Sequence, residues 1–198
     1  YAPWQEVQLL DGLADRVLDG SVAEVGVSNI GPKRLAWMHE RLAQRGVPLR
    51  SVQVQYSLLS PGDAKADALR QLCHERGVEV LAYSPLAFGV LTLSPEAERR
   101  SGTFLRRQLF NRLMPASRNL RTVVAAIAAT RNVSMAQVAL NWCRAQGTKP
   151  IPGVRTPEQA RDVAGALGWS LRPEEIEQLA EARGQCAVRT PSNPFQSA

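Results

Sequence analysis

The sequence is poor in several residue types that mark well-defined protein classes, and cysteine is the first of them. Three cysteines occur among 198 residues, at Cys73, Cys143 and Cys186. They form neither an even set nor a spacing typical of metal ligands, which argues against a disulfide framework or a metal site and predicts reduced thiols in an intracellular compartment. The cytosol and a plastid both suit reduced thiols, and a cytoplasmic location is the default expectation.

Long hydrophobic runs are also missing. No segment approaches the ~20 consecutive apolar residues that a membrane-spanning helix needs, and no charged and then apolar secretory leader opens the chain. The sequence therefore predicts a soluble protein that does not bind a membrane. Because the first residue is Tyr1 rather than methionine, we expect that an upstream segment has been removed or was never included.

Lysine is scarce, whereas arginine is abundant. The 24 basic residues include lysine only at Lys33, Lys65 and Lys149, and against 18 acidic residues the formal net charge is +6. Arginine forms planar, bidentate contacts with phosphate groups, so a phosphorylated ligand and a nucleic acid are both considered as partners. The alternative is that the charge simply keeps the surface solvated.

Apolar strands and amphipathic helices alternate along the first half of the chain. Helical spacing of leucine and valine predicts a helix over residues 4–18, and a short apolar strand, VAEVGVSN, follows it. Pro32 suits the first turn of the next helix, which Gly46 ends. The unit then repeats, with predicted elements at 52–56 (strand), 66–77 (helix) and 78–84 (strand). This alternation predicts an α/β fold with a parallel sheet covered by helices.

The alternation stops after Tyr83. Residues 84–117 contain proline, glycine, serine and a basic cluster, which predicts a long surface loop with room for one short helix. The remaining predicted elements are helices over 119–130 and 134–145, a strand KPIPG (149–153), a helix from about Pro157, a helix RPEEIEQLAEA (172–182) and a poorly ordered tail TPSNPFQSA (190–198).

Four predicted strands leave the sheet incomplete. A parallel sheet of four strands has two open edges, and helices on one face only would leave the other face uncovered. We therefore expect either that sequence outside this chain completes the sheet or that another chain covers it. Self-association through the open edges is the expectation if the chain is not a fragment.

Four motifs occur in the order and spacing of the second half of a known family. They are EVGVSNI (24–30), VQVQYSLL (52–59), LAYSPLAFGVLT (81–92) and PIPGVRTPEQARDVAGALG (150–168). By these motifs the chain is similar to aldo-keto reductases of the plant-type and potassium-channel β-subunit branches. The resemblance implies a partial (β/α)8 TIM barrel that holds strands 5 to 8 with their helices and a C-terminal extra helix. Residues 1–185 would form the C-terminal half of that barrel, and 186–198 a tail.

The resemblance also implies an NADP cofactor at the carboxyl ends of the strands and a small-molecule carbonyl substrate. Ser28 and Asn29, from the SN motif, and Gln53, from QVQY, match positions that hold the nicotinamide carboxamide, while Tyr83 matches the aromatic residue that stacks on the ring. A carboxamide has one acceptor and two donors, which suits short polar side chains on fixed strand ends. Taken alone, Ser28 and Asn29 are also typical of a helix cap and Tyr83 of a core residue.

The third motif resembles the loop that follows the cofactor's pyrophosphate. The matching residues are Ser84, Pro85, Leu86 and Gly89. Small residues and backbone N–H groups in such a loop admit an anion. Related enzymes commonly have Gly-Lys where this chain has Leu93 and Ser94, and this change is expected to reduce cofactor affinity.

The fourth motif implies contacts with the adenosine part of the cofactor. Gly153 permits close backbone approach, and Arg155 matches the partner of the 2'-phosphate that separates NADP from NAD. Gln159 and Asp162 match positions beside the ribose and adenine, although ordinary solvated helix residues would look the same. Val163 stands where the family often has an asparagine that touches adenine, which is a second departure expected to weaken binding.

The family's catalytic groups have no counterpart in this sequence. They are an Asp, a Tyr, a Lys and a His on the first four strands of the barrel, which would lie upstream. His39 and His74 fall in predicted helices beside charged residues, where surface positions without a catalytic role are expected. Since a general acid must lie within hydrogen-bond reach of the substrate oxygen, no catalytic residue is assigned. The chain alone is predicted to be inactive, whereas the intact protein would reduce aldehydes or ketones.

Two other functions remain open from the sequence. A non-catalytic NADPH-binding or interaction module would keep the cofactor site without turnover. The segment LRTVVAAIAATRNVSMAQVALNWCRAQG (120–147) mimics a helix-turn-helix with basic ends suited to DNA phosphates. In the reductase interpretation its apolar residues pack in the core instead, and no nucleic acid is expected to bind.

Overall fold

The computed structural model describes residues 5–62, 64–96 and 104–191. The strands are β1 (Val25–Ser28), β2 (Leu49–Gln55), β3 (Glu79–Tyr83) and β4 (Thr148–Ile151). The α-helices are α1 (Glu6–Leu18), α2 (Pro32–Ala43), α3 (Ala64–Arg76), α4 (Phe104–Ala116), α5 (Arg118–Arg131), α6 (Met135–Ala145), α7 (Pro157–Ala164) and α8 (Pro173–Gln185). A short 3-10 helix spans Ala87–Thr92.

The strands form one sheet in chain order, β1-β2-β3-β4. β1 and β2 pair in parallel, with Gly26 opposite Ser51 and Ser28 opposite Gln53. A Cβ on Gly26 would lie 2.4 Å from Ser51 Oγ, so only glycine fits beside that serine. Helices follow each strand, and the predicted α/β class is confirmed.

The chain divides into two compact units, and the boundary passes through β2 and β3. Among the described residues, unit 1 contains 5–54, 62 and 64–81, and unit 2 contains 55–61, 82–96 and 104–191. Each unit has its own cluster of buried apolar residues. The two units are therefore described separately below.

The core of unit 1 lies where α1 and α2 meet the strands. Leu10, Leu35 and Val52 are fully or almost fully buried. Ion pairs also join the two helices, with Arg41 Nη2 2.6 Å from Asp11 Oδ2. Burial of the apolar side chains supplies most of the stability, since partly exposed ion pairs contribute little.

The core of unit 2 is built largely from helices. Phe110 of α4 and Leu120 of α5 are buried, as is Trp142 of α6. The Trp142 ring stacks on Tyr56 with centroids 5.5 Å apart and planes at 15°. Such a stack contributes about 1 kcal/mol beyond the burial of its area.

Helices α5 and α6 are the two halves of the predicted helix-turn-helix. Asn132 ends α5 in the left-handed conformation, and Ser134 begins α6 by accepting a hydrogen bond from the Gln137 N–H at 3.1 Å. Of the apolar residues expected to pack, Val133 is partly buried and the others are buried in unit 2: Ala136, Val138, Ala139, Leu140 and Trp142. This burial agrees with the packing role that the reductase interpretation gives these residues.

No single helix in the described part of the chain is long and apolar enough to cross a membrane. Two successive helices reach the length and apolar composition of a membrane span only if they are counted as one. They are Arg118–Arg131 and Met135–Ala145, and the bend between them is 101°.

Helix α4 corrects the prediction of a long surface loop with a short helix over residues 84–117. It runs for 13 residues, and Phe110, Leu113 and Met114 on one face are buried. These residues follow the i, i+3, i+4 spacing of an amphipathic helix. The neighbouring arginines and Pro115 masked that pattern. Pro115 has no N–H to donate to the carbonyl four residues earlier, and α4 ends one residue after it.

An ion pair anchors the start of α8 to the end of α5. Arg131 and Glu175 are joined by bonds from Nε and Nη2, with Nη2 2.6 Å from Glu175 Oε2. Glu175 also accepts from the Arg172 N–H at 2.8 Å, as in a capping box. The hydrogen bonds from Arg131 lower the pKa of the buried Glu175 carboxyl to about 2.

The predicted tail begins with residues that pack against unit 2. Cys186 and Thr190 are buried. The Thr190 N–H donates to the Leu59 carbonyl at 2.8 Å, and Gln55 Nε2 donates to Thr190 Oγ1 at 3.2 Å. The expectation of poor order is thus wrong for Thr190, whereas residues 192–198 lie outside the described part. The boundary at residue 185 stays a prediction.

All three cysteines are free and buried. Burial raises the pKa of the Cys73 thiol to about 11 and that of Cys143 to about 12. The Cys186 thiol donates to the Ala116 carbonyl at 3.2 Å. No disulfide joins them in this structure, and their reduced state stays a prediction.

Candidate functional site

Unit 2 contains a cavity of about 980 Å³ beside the carboxyl end of β3 and the N-terminus of α7. Nine of the twelve residues predicted to contact the cofactor line it. They are Tyr83, Ser84, Pro85, Leu86, Gly89, Gly153, Arg155, Gln159 and Asp162. Two segments more than 60 residues apart in the sequence therefore meet around one space.

The first wall begins where β3 ends. Tyr83, which is half-buried, is the last residue of the strand, and its carbonyl accepts from the Tyr56 N–H at 3.2 Å. Ser84 follows with φ 52°, a left-handed conformation that turns the chain out of the sheet. Its carbonyl accepts from the Ala87 N–H at 2.9 Å, which closes the turn.

The turn leads into three consecutive left-handed residues. Ala87, Phe88 and Gly89 have φ values of 49°, 59° and 94°. Non-glycine residues adopt this conformation rarely, and such positions cluster at functional sites. The Gly89 N–H donates to the Leu86 carbonyl at 2.9 Å, so this N–H and that of Ala87 are used within the loop. These two N–H groups are therefore not available to an anion, and an anion would have to be bound by other N–H groups of the loop.

The second wall is the approach to α7. Thr156 caps the helix, because its hydroxyl accepts from the Gln159 N–H at 3.3 Å. The Gln159 side chain turns back and accepts from the Arg155 N–H at 2.8 Å. Gln159 therefore shapes the helix start. The Arg155 side chain is exposed, and no carboxylate in the described residues forms an ion pair with it.

Asp162 is held by α6. Gln137 Nε2 donates to both the Asp162 carbonyl and Asp162 Oδ1, at 2.8 and 3.0 Å. A Cβ on Gly165 would lie 2.5 Å from the same Gln137 nitrogen, so glycine lets α6 and α7 approach. These contacts hold Asp162 against α6 and leave Oδ2 as the carboxylate oxygen without a hydrogen bond from the described residues.

Several apolar residues complete the cavity lining, and only Leu93 and Val163 among them were noted from the sequence, as departures from the family's pattern. Leu109 comes from α4, and Phe88, 41% exposed, from the left-handed turn. The others are Leu93, Ala136, Ile151, Val154 and Val163, with Thr92 beside them. The amphipathic spacing of α4 could have predicted the helix, but no sequence signal indicates which of its residues faces a cavity.

The other three predicted residues lie together in unit 1. Ser28 is the last residue of β1 and Asn29 follows it with φ 57°. Ser28 Oγ and the Asn29 N–H both donate to the Gln53 carbonyl, at 3.2 and 2.9 Å. The carboxyl end of β1 and its partner strand thus bring the predicted carboxamide set into one cluster.

The described residues include no group of three or more His, Cys, Asp or Glu side chains that could hold a metal ion. His74 is exposed on α3. His39, partly buried on α2, has its Nδ1 3.3 Å from Arg76 Nη1. Neither histidine borders the cavity of unit 2.

Comparison with known proteins identifies the family of this sequence. The model named "Aldo/keto reductase family" matches residues 3–183. Among curated proteins, the chain is 41% identical over 197 residues to "Pyridoxal reductase, chloroplastic" of Arabidopsis thaliana, covering 100% of this chain and 53% of that protein. It is 32% identical over 177 residues to "L-glyceraldehyde 3-phosphate reductase" of Escherichia coli O157:H7, covering 84% of the chain and 51% of the relative.

Solved structures agree on the fold. The glycerol dehydrogenase AKR11B4 of Gluconobacter oxydans superposes with a TM-score of 0.75 at 24% identity, over 92% of this chain and 55% of that one. The thermostable aldo-keto reductase Tm1743 gives a TM-score of 0.66 at 24% identity, over 89% and 54%. The chain spans about half the length of the curated relatives it matches. With its four-stranded α/β sheet, it is a partial (β/α)8 barrel and belongs to the aldo/keto reductase family.

Proposed function

We propose that this chain is the NADP-binding half of an oxidoreductase that reduces aldehydes or ketones to alcohols. The observation that carries the proposal is the cavity of unit 2, which nine residues predicted from motifs alone surround. One relative, 25% identical, is named "Aldo-keto reductase yakc [NADP(+)]". The reduced form, NADPH, would supply the hydride when it is bound, and the chain's own residues would bind and orient it.

Arg155 supports NADP rather than NAD as the cofactor. Its exposed guanidinium borders the cavity without a carboxylate partner in the described part of the chain. A guanidinium can hold a phosphate through two parallel hydrogen bonds. The 2'-phosphate is the one charged group that NADP has and NAD lacks, so Arg155 is the residue that would distinguish them.

The remaining residues fit the cofactor to different degrees. The Tyr83 ring, half-buried at the end of β3, has the apolar face that stacking on nicotinamide requires. Gln159 and Asp162 each give one side-chain atom to a contact within the protein. We therefore propose that they hold the adenosine side with their remaining polar atoms, and that Val163 offers it only apolar contact.

We assign no general acid to this chain. Neither histidine borders the cavity, and we assign Tyr83 to stacking on the nicotinamide rather than to proton donation. A proton donor must reach the carbonyl oxygen of the substrate. We propose that turnover depends on residues beyond these 198, and that the chain alone binds the cofactor without reducing a substrate.

Pyridoxal is the substrate we would assay first. The relative that is 41% identical carries pyridoxal in its name, and another names L-glyceraldehyde 3-phosphate. Both substrates are aldehydes. The first name also contains the word chloroplastic, which favours a plastid over the cytosol as the location to test by fluorescent fusion.

Substitution of Arg155 tests the cofactor assignment. Arg155→Gln removes the charge that would face the 2'-phosphate, and we expect about tenfold weaker NADPH binding, equivalent to ~1.4 kcal/mol, with NADH binding unchanged. Quenching of tryptophan fluorescence gives both dissociation constants.

Arg161 provides the matched control for this test. It is an exposed arginine on α7, the helix that begins two residues after Arg155, paired with Glu158 at 3.6 Å, and it does not border the cavity. Arg161→Gln should bind both nucleotides like the wild type. Equal losses for the two variants, or for the two nucleotides, would contradict the role of Arg155. Absence of NADPH binding by the wild type would reject the proposed function of the chain.

A further inference from the structure

Arg121 on α5 is a buried cation. Its side chain is 1% exposed, and no described carboxylate forms an ion pair with it. Burial lowers its pKa, yet a guanidinium stays protonated in proteins. A buried charge costs several kcal/mol unless polar groups compensate it. The surroundings of Arg121 must therefore replace water.

Hydrogen bonds use all the donors of this guanidinium. Arginine has five N–H groups, and Arg121 makes five hydrogen bonds: one from Nε and two each from Nη1 and Nη2. The acceptors are Ser117 Oγ (3.3 Å), the Leu93 carbonyl (3.3 Å), the Ser94 carbonyl, the Pro95 carbonyl (3.4 Å) and the Met114 carbonyl (2.9 Å). Each donor is matched by one acceptor.

The four carbonyl acceptors belong to two segments that also contribute residues to the cavity lining. Three consecutive carbonyls, from Leu93 to Pro95, lie directly after the 3-10 helix, and Leu93 itself lines the cavity. The Met114 carbonyl lies near the end of α4, the helix that contributes Leu109 to the lining. Arg121 lies outside the lining and connects both segments from behind.

We propose that Arg121 is a positioning residue that fixes this wall and thereby sets the affinity for the nucleotide without touching it. The inference rests on the proposed NADP site. The left-handed turn at residues 87–89 is held by the sheet at Tyr83 and by Arg121 at Leu93. With both ends fixed, the turn does not have to be ordered by the cofactor, which reduces the entropy lost on binding.

No other residue type can replace this guanidinium in full. An apolar side chain would leave four carbonyls without this donor, the buried one of Met114 and the part-buried ones of Leu93, Ser94 and Pro95, and a carbonyl left unpaired away from water costs free energy. Lysine keeps the charge but places its three donors at a single atom, so it cannot span acceptors on two segments. Arg121→Lys is accordingly the informative substitution, since it preserves charge and approximate volume.

Hydrogen exchange of the nucleotide-free protein tests the positioning directly. The N–H groups of Gly89, Leu91 and Leu93 donate to carbonyls within the turn. We expect Arg121→Lys to raise their exchange rates about tenfold or more, because the wall opens more often. Glu175→Gln is the control, as it breaks a buried ion pair elsewhere in unit 2. It should destabilise the unit without selective exchange at these three amides.

NADPH binding gives the second readout. Arg121→Lys should raise the dissociation constant about tenfold, whereas Glu175→Gln should leave it within about twofold at a temperature where both variants are folded. Equal changes in the two variants would mean that Arg121 acts only through general stability, and the inference fails. If the wild type does not bind NADPH, the proposed function fails, while the exchange result still decides whether Arg121 fixes the wall.

A milder variant covers the case in which Arg121→Lys does not fold. Ser117→Ala removes one acceptor of Arg121 and leaves the four carbonyls in place. We expect faster exchange at the same three amides and a smaller rise in the NADPH dissociation constant. Unchanged exchange and unchanged affinity in Ser117→Ala, with Arg121→Lys unfolded, would overturn the inference in favour of a purely structural arginine.

Discussion

Left-handed backbone marks the ends of two strands. Asn29 follows β1 with φ 57°, and Ser84 follows β3 with φ 52°. A non-glycine residue in this region costs about 1 kcal/mol or more. Both residues were predicted to contact the cofactor from motif position alone, and both lie where the chain must turn sharply out of the sheet. Both residues therefore carry backbone strain, and the sharp turn that causes it also exposes polar groups at the strand ends.

Gly89 and Gly153 form a matched pair that separates the effect of backbone conformation from the effect of steric room for a side chain. Both line the cavity, and a Cβ added to either would meet nothing within 4 Å. Only Gly89 has a positive φ, at 94°. We expect Gly89→Ala to lose about 1 kcal/mol of unfolding free energy and Gly153→Ala to lose none. Urea denaturation followed by circular dichroism measures both.

A loss in Gly153→Ala equal to that in Gly89→Ala would contradict the conformational argument. NADPH affinity tests a separate point, which is how closely the cofactor approaches residue 153. The new methyl of Gly153→Ala would lie between the protein backbone and the bound nucleotide. A weaker affinity in that variant with unchanged stability would support close approach at residue 153.

Motif position predicted the polar residues of the cavity, because such residues recur at fixed places in a family. It could not predict Phe88 or Leu109, since apolar lining residues obey no motif and depend on which helix packs nearby. Gln159 and Asp162 show a further limit. Their side chains bond to the Arg155 N–H and to Gln137, and only coordinates reveal such contacts.

The ion pair between α5 and α8 makes the free energy of unfolding depend on pH in the acid range. The pKa of Glu175 is about 2 in the folded protein, lowered from 4.5 chiefly by its hydrogen bonds to Arg131. Because the folded value is lower than the unfolded value, this stabilisation is present above about pH 4.5 and is lost as the pH falls towards about 2. We expect Glu175→Gln to lose about 2 kcal/mol at neutral pH.

Melting temperatures between pH 7 and pH 3 test this expectation. Wild-type stability should fall through the acid range more steeply than that of Glu175→Gln, which has no carboxylate to protonate. Glu174→Gln is the control, because Glu174 occupies the same first turn but is exposed. Parallel curves for Glu175→Gln and the wild type would show that the ion pair contributes nothing.

Most elements could be predicted because the hydrophobic periodicity and the proline and turn residues at the ends of the elements indicate the same boundaries. Pro32, Pro157 and Pro173 each begin a helix, and the strands are short apolar runs before turn residues. The length of helix α4 was underestimated because arginines and a proline surround its apolar stripe. The left-handed turn at residues 87–89 was also hidden, since Ala87 and Phe88 have no local preference for positive φ.

The whole chain has two apolar cores and about half of a barrel, and its expected activity is cofactor binding without turnover. We expect the purified chain to bind NADPH saturably and not to oxidise it in the presence of pyridoxal. Absorbance of NADPH follows the reaction, with the Arabidopsis pyridoxal reductase as positive control. Turnover by the chain would place a general acid within these 198 residues and would contradict our assignment.

Open sheet edges predict association of the isolated chain. β1 and β4 are the outer strands of the sheet, and Ile151 on β4 is 43% exposed. Exposed apolar edge strands pair readily with other chains. We expect sedimentation velocity to show concentration-dependent association, which Ile151→Lys reduces. A monomer at all concentrations would mean that these edges are protected.

The buried cysteines make the chain suitable for site-specific labelling. Maleimides and similar reagents attack the thiolate, and the raised pKa values of Cys73 and Cys143 keep both thiols protonated at neutral pH. Cys186 is enclosed as well. A single cysteine introduced at exposed Val154, on the cavity rim, would therefore react selectively in the native protein. A fluorophore attached there could report nucleotide occupancy in real time without removal of any natural thiol.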